Sequence, residues 1–483
     1  MTPTPAHTFP LGTDGWRGVI AEGCTFDAIR RLAAAYAAVY ARLEDGDNRR
    51  VVVGHDTRFF SPEFARAAAE ALSQAGLEVL LSDRPIPTPA VSFHVHRLGL
   101  AGGIAITASH NPAPYNGFKI KSHMGGSASP ELYSQVAAAV GSGPPSRGGR
   151  SGRIETTDLW TPYRDGLARL VDVAAIRRAG LTVVADAMHG AAGSLVADIA
   201  GGGQSRIVAF RAARDVLFGG VHPEPIAANL GATSERTIAE NADLAVANDG
   251  DADRLGVLDR HGRFVSPHRV LALLLLHAFR VRGLKGGIAK TFSTSILIDR
   301  IAGVLGSPIY ETGIGFKYVA DLMNRGEAAA GGEESGGYAF RFYLPERDGV
   351  LNALLLVESL ALSGRDLETA LQELADEFGA LAYDRRDFYL PVPVITEFLR
   401  EVEAAPPESV AGHPVTRIGN KDGIKYVLGD SGWLLHRLSG TEPMIRLYCE
   451  EADERSVAEI LEAASQRLAS FAKSRGVEPR THL

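Results

Sequence analysis

A chain of 483 residues, 45% apolar and 22% charged, has the balance of a soluble protein with several cores. At roughly 100–200 residues per domain, its length suggests three or four domains. The formal net charge of −7 and the absence of a long basic run argue against nucleic acid as the main partner, since phosphate-backbone binding needs clustered Lys and Arg.

The first ten residues carry neither a basic start nor an apolar stretch, so no signal peptide is expected. Cys24 lies far in sequence from the other cysteine, Cys449, and the pair gives neither a disulfide framework nor a metal-ligand spacing. Helical spacing of Phe26, Ile29, Leu32, Ala33, Tyr36, Val39, Tyr40 and Leu43 predicts a helix. A buried strand at Val51 to Val53, a helix from Phe64 to Ala75 and strands at Leu77–Leu81 and Gly103–Thr107 follow. This alternation predicts βαβ units with mainly parallel sheets. It restarts at Leu181–Ala185, Arg206–Phe210 and Leu244–Ala247, and again at Gly287–Phe292, Ile309-Tyr310 and Ala328-Ala329.

Boundaries are expected in the Gly/Ser/Pro/Arg-rich stretch Gly141–Gly152, near His261-Gly262 after a strand at Leu255–Leu258, and near Ala380 after a helix from Asp366 to Phe378. The expected division is 1–150, 151–262 and 263–380 as three α/β domains, then 381–483 as a smaller α+β domain with hairpin signals at Asp422-Gly423 and Asp430-Ser431-Gly432. The longest apolar run, Val270–Phe279, is too short to span a bilayer and reads as a buried helix. A cytoplasmic protein without a membrane partner is expected.

Four loops can carry chemistry. In the first, a strand ends in Thr107-Ala108-Ser109-His110-Asn111-Pro112, with Lys119 close by. A serine beside a potential base is the usual arrangement for a hydroxyl nucleophile, although Ser109 also reads as a helix cap and His110 as a surface residue. The esterase elbow is excluded, because Thr107 and Asn111 stand where it needs glycines. In the second, Asn248-Asp249-Gly250-Asp251-Ala252-Asp253-Arg254 follows a strand, and three carboxylates at alternate positions can converge on a hard cation such as Mg²⁺. An EF-hand fails twice, with Arg254 in place of its glycine and Arg260 in place of its glutamate.

The third loop, Gly331-Gly332-Glu333-Glu334-Ser335-Gly336-Gly337-Tyr338, offers acceptors and a donor suited to sugar hydroxyls. The neighbouring Glu311–Lys317 segment adds Lys317. The fourth, Arg437-Leu438-Ser439-Gly440-Thr441-Glu442-Pro443 with Arg446 soon after, combines arginines, hydroxyls and glycine as a phosphate cradle would. Gly12-Thr13-Asp14-Gly15-Trp16-Arg17-Gly18 reads as a tight turn carrying an arginine.

Taken together and in this order, the segments resemble the α-D-phosphohexomutase superfamily over essentially the whole chain. The resemblance implies three similar mixed α/β domains and a smaller C-terminal α+β phosphate-binding domain around a central cleft. It makes Ser109 a phosphoserine and Asp249, Asp251 and Asp253 the Mg²⁺ ligands, with the serine phosphate supplying another oxygen. Glu333 and Ser335 would meet sugar hydroxyls. Arg437, Ser439, Gly440, Thr441 and Arg446 would bind phosphate, and Arg17, His110, Lys119 and Arg254 would surround the transferring group.

The implied activity interconverts hexose 1-phosphate and hexose 6-phosphate through a hexose 1,6-bisphosphate, which also serves as activator. Lys119 and His110 both remain open as general base. Tyr338, where many glucosamine and mannose enzymes have Ser-Gly-His in this loop, together with the Glu311–Lys317 segment and the Gly-Glu-Glu-Ser core, which look more like phosphoglucomutase, favours glucose, with mannose tolerated. A glucose-1,6-bisphosphate synthase and a phosphoglucosamine mutase are the enzymatic alternatives. A serine acyl hydrolase and a non-catalytic sugar-phosphate binder are the others. A small-molecule phosphosugar is the expected partner, and a monomer or homodimer the expected state.

Overall fold

The computed structural model describes residues 14–43, 48–141, 151–429, 432–440 and 443–481. The stretch read as a linker therefore lies, over 142–150, outside the described residues, as do Asp430 and Ser431 of the second hairpin signal and Thr441. The chain divides into two compact units, Met1–Gly286 with Gly315–Glu368, and Gly287–Ile314 with Thr369–Leu483.

In the first unit, helix Phe26–Leu43 buries the predicted stripe of Ile29, Leu32, Ala33, Tyr36, Val39 and Tyr40 in one core with Phe64 and Leu72 of helix Ser61–Gln74. Each large apolar side chain so buried contributes about 1.5–3 kcal/mol. The unbroken Val51-Val52-Val53 run lies in strand Arg50–His55, covered on both faces as parallel strands are. This strand pairs in parallel with Glu78–Ser82 and with Gly102–Ile106, and Ile154–Thr157 extends the sheet in parallel.

The other edge is antiparallel, so the sheet is mixed. Tyr115–Lys121 runs beside Gly102–Ile106, and Trp16–Val19 forms the rim. The glycine-rich segment expected as a tight turn thus becomes strand from Trp16 on. Gly117, opposite Arg17, allows this: a Cβ there would stand 2.3 Å from the Trp16 carbonyl oxygen and 2.7 Å from that of Thr107.

A second sheet runs Phe264–Val265, Leu255–Asp259, Leu244–Asn248, Thr182–Asp186, Arg206–Phe210, with the last three parallel. The His261-Gly262 turn joins the two antiparallel strands at its rim. Ala328–Gly332 and Tyr338–Phe340 form a further antiparallel pair around residues 333–337. The apolar run Val270–Phe279 forms helix Pro267–Leu276 and the π-turn His277–Val281. Among the described residues no helix is long and apolar enough to cross a membrane.

In the second unit, Gly287–Thr291 pairs in parallel with Ile309–Thr312. A separate antiparallel sheet follows the order Ala382–Tyr389, Met444–Glu451, Gly432–Leu438, Ile424–Leu428, His413–Gly419, Ser409–Val410. Helices Val392–Ala404 and Glu454–Ser474 bury Ile395, Phe398, Ile460 and Leu468 in a core with Leu434 and Ile445 of this sheet. The hairpin expected at Asp422-Gly423 joins His413–Gly419 to Ile424–Leu428.

Candidate active site

Ser109, Asp249 and Glu333 each lie just past the carboxyl end of a strand: Gly102–Ile106, Leu244–Asn248 and Ala328–Gly332 respectively. This is where α/β sheets place ligands. Ser109 is 1% exposed and has a left-handed backbone with φ of 54°. Its hydroxyl donates to Asp249 Oδ2 at 3.1 Å, joining two loops 140 residues apart in sequence.

The aspartates Asp249, Asp251 and Asp253 are all 0% exposed, and each can offer one oxygen within 4.8 Å of the others. Asp249 Oδ1 accepts the backbone N–H groups of Asp253 and Arg254, which folds the loop back on itself. Asp251 Oδ1 and Asp253 Oδ1 are buried and have no hydrogen-bond partner among the described residues. Unsatisfied buried carboxylate oxygens are costly, and a hard cation with oxygen ligands satisfies them. The donor set therefore fits Mg²⁺. Burial, with Asp253 and Asp251 adding repulsion, pushes the Asp249 carboxyl well above the ordinary carboxylate range.

Cations close the other side. Lys119 Nζ donates to Asp251 Oδ2 at 2.8 Å and Asp253 Oδ2 at 3.1 Å, and pairs with Asp14 at 2.8 Å. Burial works against its charge, but Asp14, Asp251 and Asp253 outweigh it and hold the ammonium above its usual value. Burial likewise opposes ionisation of Asp251, yet Lys119 and Thr88 keep it low; Thr88 donates to Asp251 Oδ2 at 2.6 Å. Lys119 is thus a fixed cation in this arrangement.

Arg347 adds a second bridge, donating to Asp14 and Asp253 at 2.7 Å each and to Glu333 at 3.1 Å. Three loops therefore share one guanidinium. Neither Arg347 nor the role of Asp14 follows from local motifs. The signal available for Asp14 was its place between glycines, and Arg347 had none beyond its neighbours Glu346 and Asp348.

Of the other expected residues, Arg17 donates to Asn111 Oδ1 at 2.6 Å and Arg254 pairs with Glu224 at 3.2 Å. His110 follows Ser109 and is partly exposed. Glu333 is buried and burial raises its carboxyl pKa, while Ser335 is partly exposed in the same turn. Lys317 sits in the first turn of helix Phe316–Asn324, with Nζ 5.0 Å from the Tyr318 ring. Tyr338 is 0% exposed and donates to the Pro267 carbonyl at 2.7 Å. It packs in the short strand Tyr338–Phe340, with its hydroxyl used by that carbonyl.

In the second unit, Arg437 and Arg446 stand directly opposite each other on paired strands. Like charges so placed repel, and an anion between them relieves it. Arg437 Nε already donates to Asp422 at 2.9 Å. Ser439 and Gly440 lie in the connection between these strands.

Family models described as phosphoglucomutase/phosphomannomutase match domain I at residues 10–144, domain II at 161–262, domain III at 266–378 and the C-terminal domain at 397–466. A crystal structure from Thermus thermophilus, named a "putative phosphomannomutase", is 36% identical, with a TM-score of 0.83 over 95% of this chain and 98% of that one. A phosphoglucomutase/phosphomannomutase of Thermococcus kodakarensis is 31% identical over 94% of this chain and 96% of its own. A phosphoglucosamine mutase of Paenarthrobacter aurescens is 33% identical over 96% and 97%. With all four domains matched in order over the loops just described, the chain belongs to the phosphoglucomutase/phosphomannomutase family of the α-D-phosphohexomutase superfamily, a group of isomerases that transfer phosphoryl groups.

Proposed function

We propose that the protein interconverts hexose 1-phosphate and hexose 6-phosphate through a phosphoserine at Ser109 and a hexose 1,6-bisphosphate. The observation that carries this is the Ser109 hydroxyl bonded to a buried aspartate cluster that has two unsatisfied oxygens. Phosphoryl transfer leaves little covalent work to a protein, and positioning and charge neutralisation dominate. Asp249, Asp251 and Asp253 would hold Mg²⁺, which supplies Lewis-acid neutralisation of charge on phosphate oxygens. Arg17, Arg254 and Lys119 add fixed positive charge around the same serine.

The sugar hydroxyl takes the phosphoryl group from Ser109, and the other phosphate of the resulting bisphosphate later returns to it. Lys119 pairs with three carboxylates, and on this reading His110, next to the serine in sequence, accepts the hydroxyl proton. Glu333 and Ser335 bind sugar hydroxyls, with Lys317 near them in sequence, and Arg437, Ser439, Gly440, Thr441 and Arg446 bind phosphate. The bisphosphate also serves as activator by restoring phosphate to Ser109.

Glucose phosphate is the first substrate on this reading, from the Gly-Glu-Glu-Ser core, with mannose phosphate accepted. A second reading, glucosamine phosphate, is favoured by relatives such as that of Paenarthrobacter aurescens. The test is a coupled assay of the three sugar phosphates with bisphosphate and Mg²⁺, on the parent and on Ser109→Ala. Ser109→Ala is expected to lose turnover with its fold kept, and near-parental turnover refutes the phosphoserine. Faster turnover of glucosamine phosphate overturns the sugar ranking.

A further inference from the structure

Ser109 is a non-glycine residue at φ of 54°, a conformation that costs an L-residue energy and persists only where surroundings enforce it. The enforcing group lies 51 residues upstream. Arg58 is 0% exposed, and every N–H of its guanidinium is used. Nη2 donates to the carbonyl oxygens of Ser109 and Asn111 at 2.6 Å each. Nη1 donates to those of Pro112 at 2.8 Å and Tyr115 at 3.1 Å, and Nε to Asp56 Oδ2 at 3.0 Å.

Asp56 carries the grip to the other end of the loop. Its Oδ2 accepts the Thr107 hydroxyl at 2.6 Å, and Thr107 Oγ1 in turn accepts the Ser109 N–H at 2.8 Å. Both polar groups of the Ser109 backbone are therefore held by one buried ion pair. The ring of Phe218 lies 4.9 Å from the guanidinium carbon, and Arg214 donates to the carbonyls of Thr57 and Arg58 at 2.8 and 3.0 Å, so the clamp is itself fixed. Gly250 completes it: a Cβ there would stand 2.5 Å from the Ser109 carbonyl oxygen.

We infer that the Asp56–Arg58 pair is a positioning device for phosphoryl transfer, imposing the left-handed backbone that aims the Ser109 hydroxyl at the aspartate cluster. Arg58 touches main-chain oxygens of the loop, so it acts through Ser109 and is no acid, base or ligand. The inference rests on Ser109 being the phosphoryl carrier. A lysine at position 58 keeps the charge but has three donors in place of five, too few for the same set of acceptors.

The test compares Arg58→Lys with the parent in steady-state kinetics on glucose 1-phosphate, with far-UV circular dichroism as a fold check. A loss of aim at the reacting atom is expected to lower kcat by roughly 100-fold while KM stays within about threefold. A kcat within about threefold of the parent, or a loss carried by KM, overturns the inference. If Arg58→Lys does not fold, Thr107→Val, which removes one hydroxyl from the same chain of bonds, is judged by the same criterion. Ser109→Ala separates the two ideas. Turnover in that variant defeats the phosphoserine reading, whereas an inactive Ser109→Ala beside an unimpaired Arg58→Lys defeats this one alone.

Discussion

Replacing Lys119 by methionine keeps the length of the side chain and removes its charge. Lys119 is 1% exposed and faces Asp14, Asp251 and Asp253 at 2.8, 2.8 and 3.1 Å. At an effective dielectric of about 20, one such contact attracts by roughly 6 kcal/mol before desolvation is charged against it. Three contacts on one ammonium do not add, because they share one desolvation cost. The measured loss is expected at about 3–5 kcal/mol, the usual penalty for leaving buried charges without their partner.

The same change alters the response to metal. In the parent, Lys119 already neutralises the Oδ2 atoms of Asp251 and Asp253. Without it, a divalent ion meets a more negative cluster and binds more tightly. Ligand at about 100 times its dissociation constant stabilises the native state by about 2.7 kcal/mol. Saturating Mg²⁺ should therefore recover much of the loss in Lys119→Met and shift the parent less. Urea unfolding of both proteins in EDTA and in excess Mg²⁺ measures this. Equal stability in EDTA, or a Mg²⁺ shift no larger in the variant than in the parent, refutes the picture of Lys119 as the counter-charge of a cation site.

Asp348 offers a pH prediction. Burial raises its carboxyl to about 6 despite bonds from the Leu351 N–H and the Tyr163 hydroxyl. The folded state thus holds the proton more tightly than the unfolded chain, so this contribution is fully present below about pH 4 and is lost as pH rises to about 6. Two pKa units correspond to about 3 kcal/mol. Asp348→Asn should lack this slope while keeping a capping side chain, so the stability gap between parent and variant should change by about that amount between pH 4 and 6.5. A gap independent of pH in urea unfolding refutes it. Gly250→Ala places a methyl against the Ser109 carbonyl, a main-chain atom held by Arg58. It should cost about 1–3 kcal/mol by overpacking and lower kcat by roughly 100-fold. Parental kcat with an unchanged melting temperature shows that the contact is not as tight as described.

Much of this architecture was legible because its signals are local. The Val51–Val53 run, the stripe of helix Phe26–Leu43 and the Asp422-Gly423 turn each depend on neighbours within a few residues, and each appears where periodicity and turn chemistry put it. The Asp249-Asp251-Asp253 spacing is equally local. A strand must end before it, and alternate carboxylates must then crowd.

What only the tertiary structure decided are the partners of those groups. Arg347 reaches Asp14 across 333 positions, Lys119 reaches Asp251 across 132, and Arg58 grips Asn111 across 53. The rim strand Trp16–Val19 was unreadable for the same reason, since it exists through pairing with Tyr115–Lys121. Arg437 and Arg446 became a facing pair through strand register. The sequence by itself determined which groups end each strand and which charges would crowd there. The long-range bonds that hold the serine in a strained backbone, keep Lys119 charged and tie Tyr338 to Pro267 arise when separate loops come together, because burial and distance set their energies and sequence spacing carries neither.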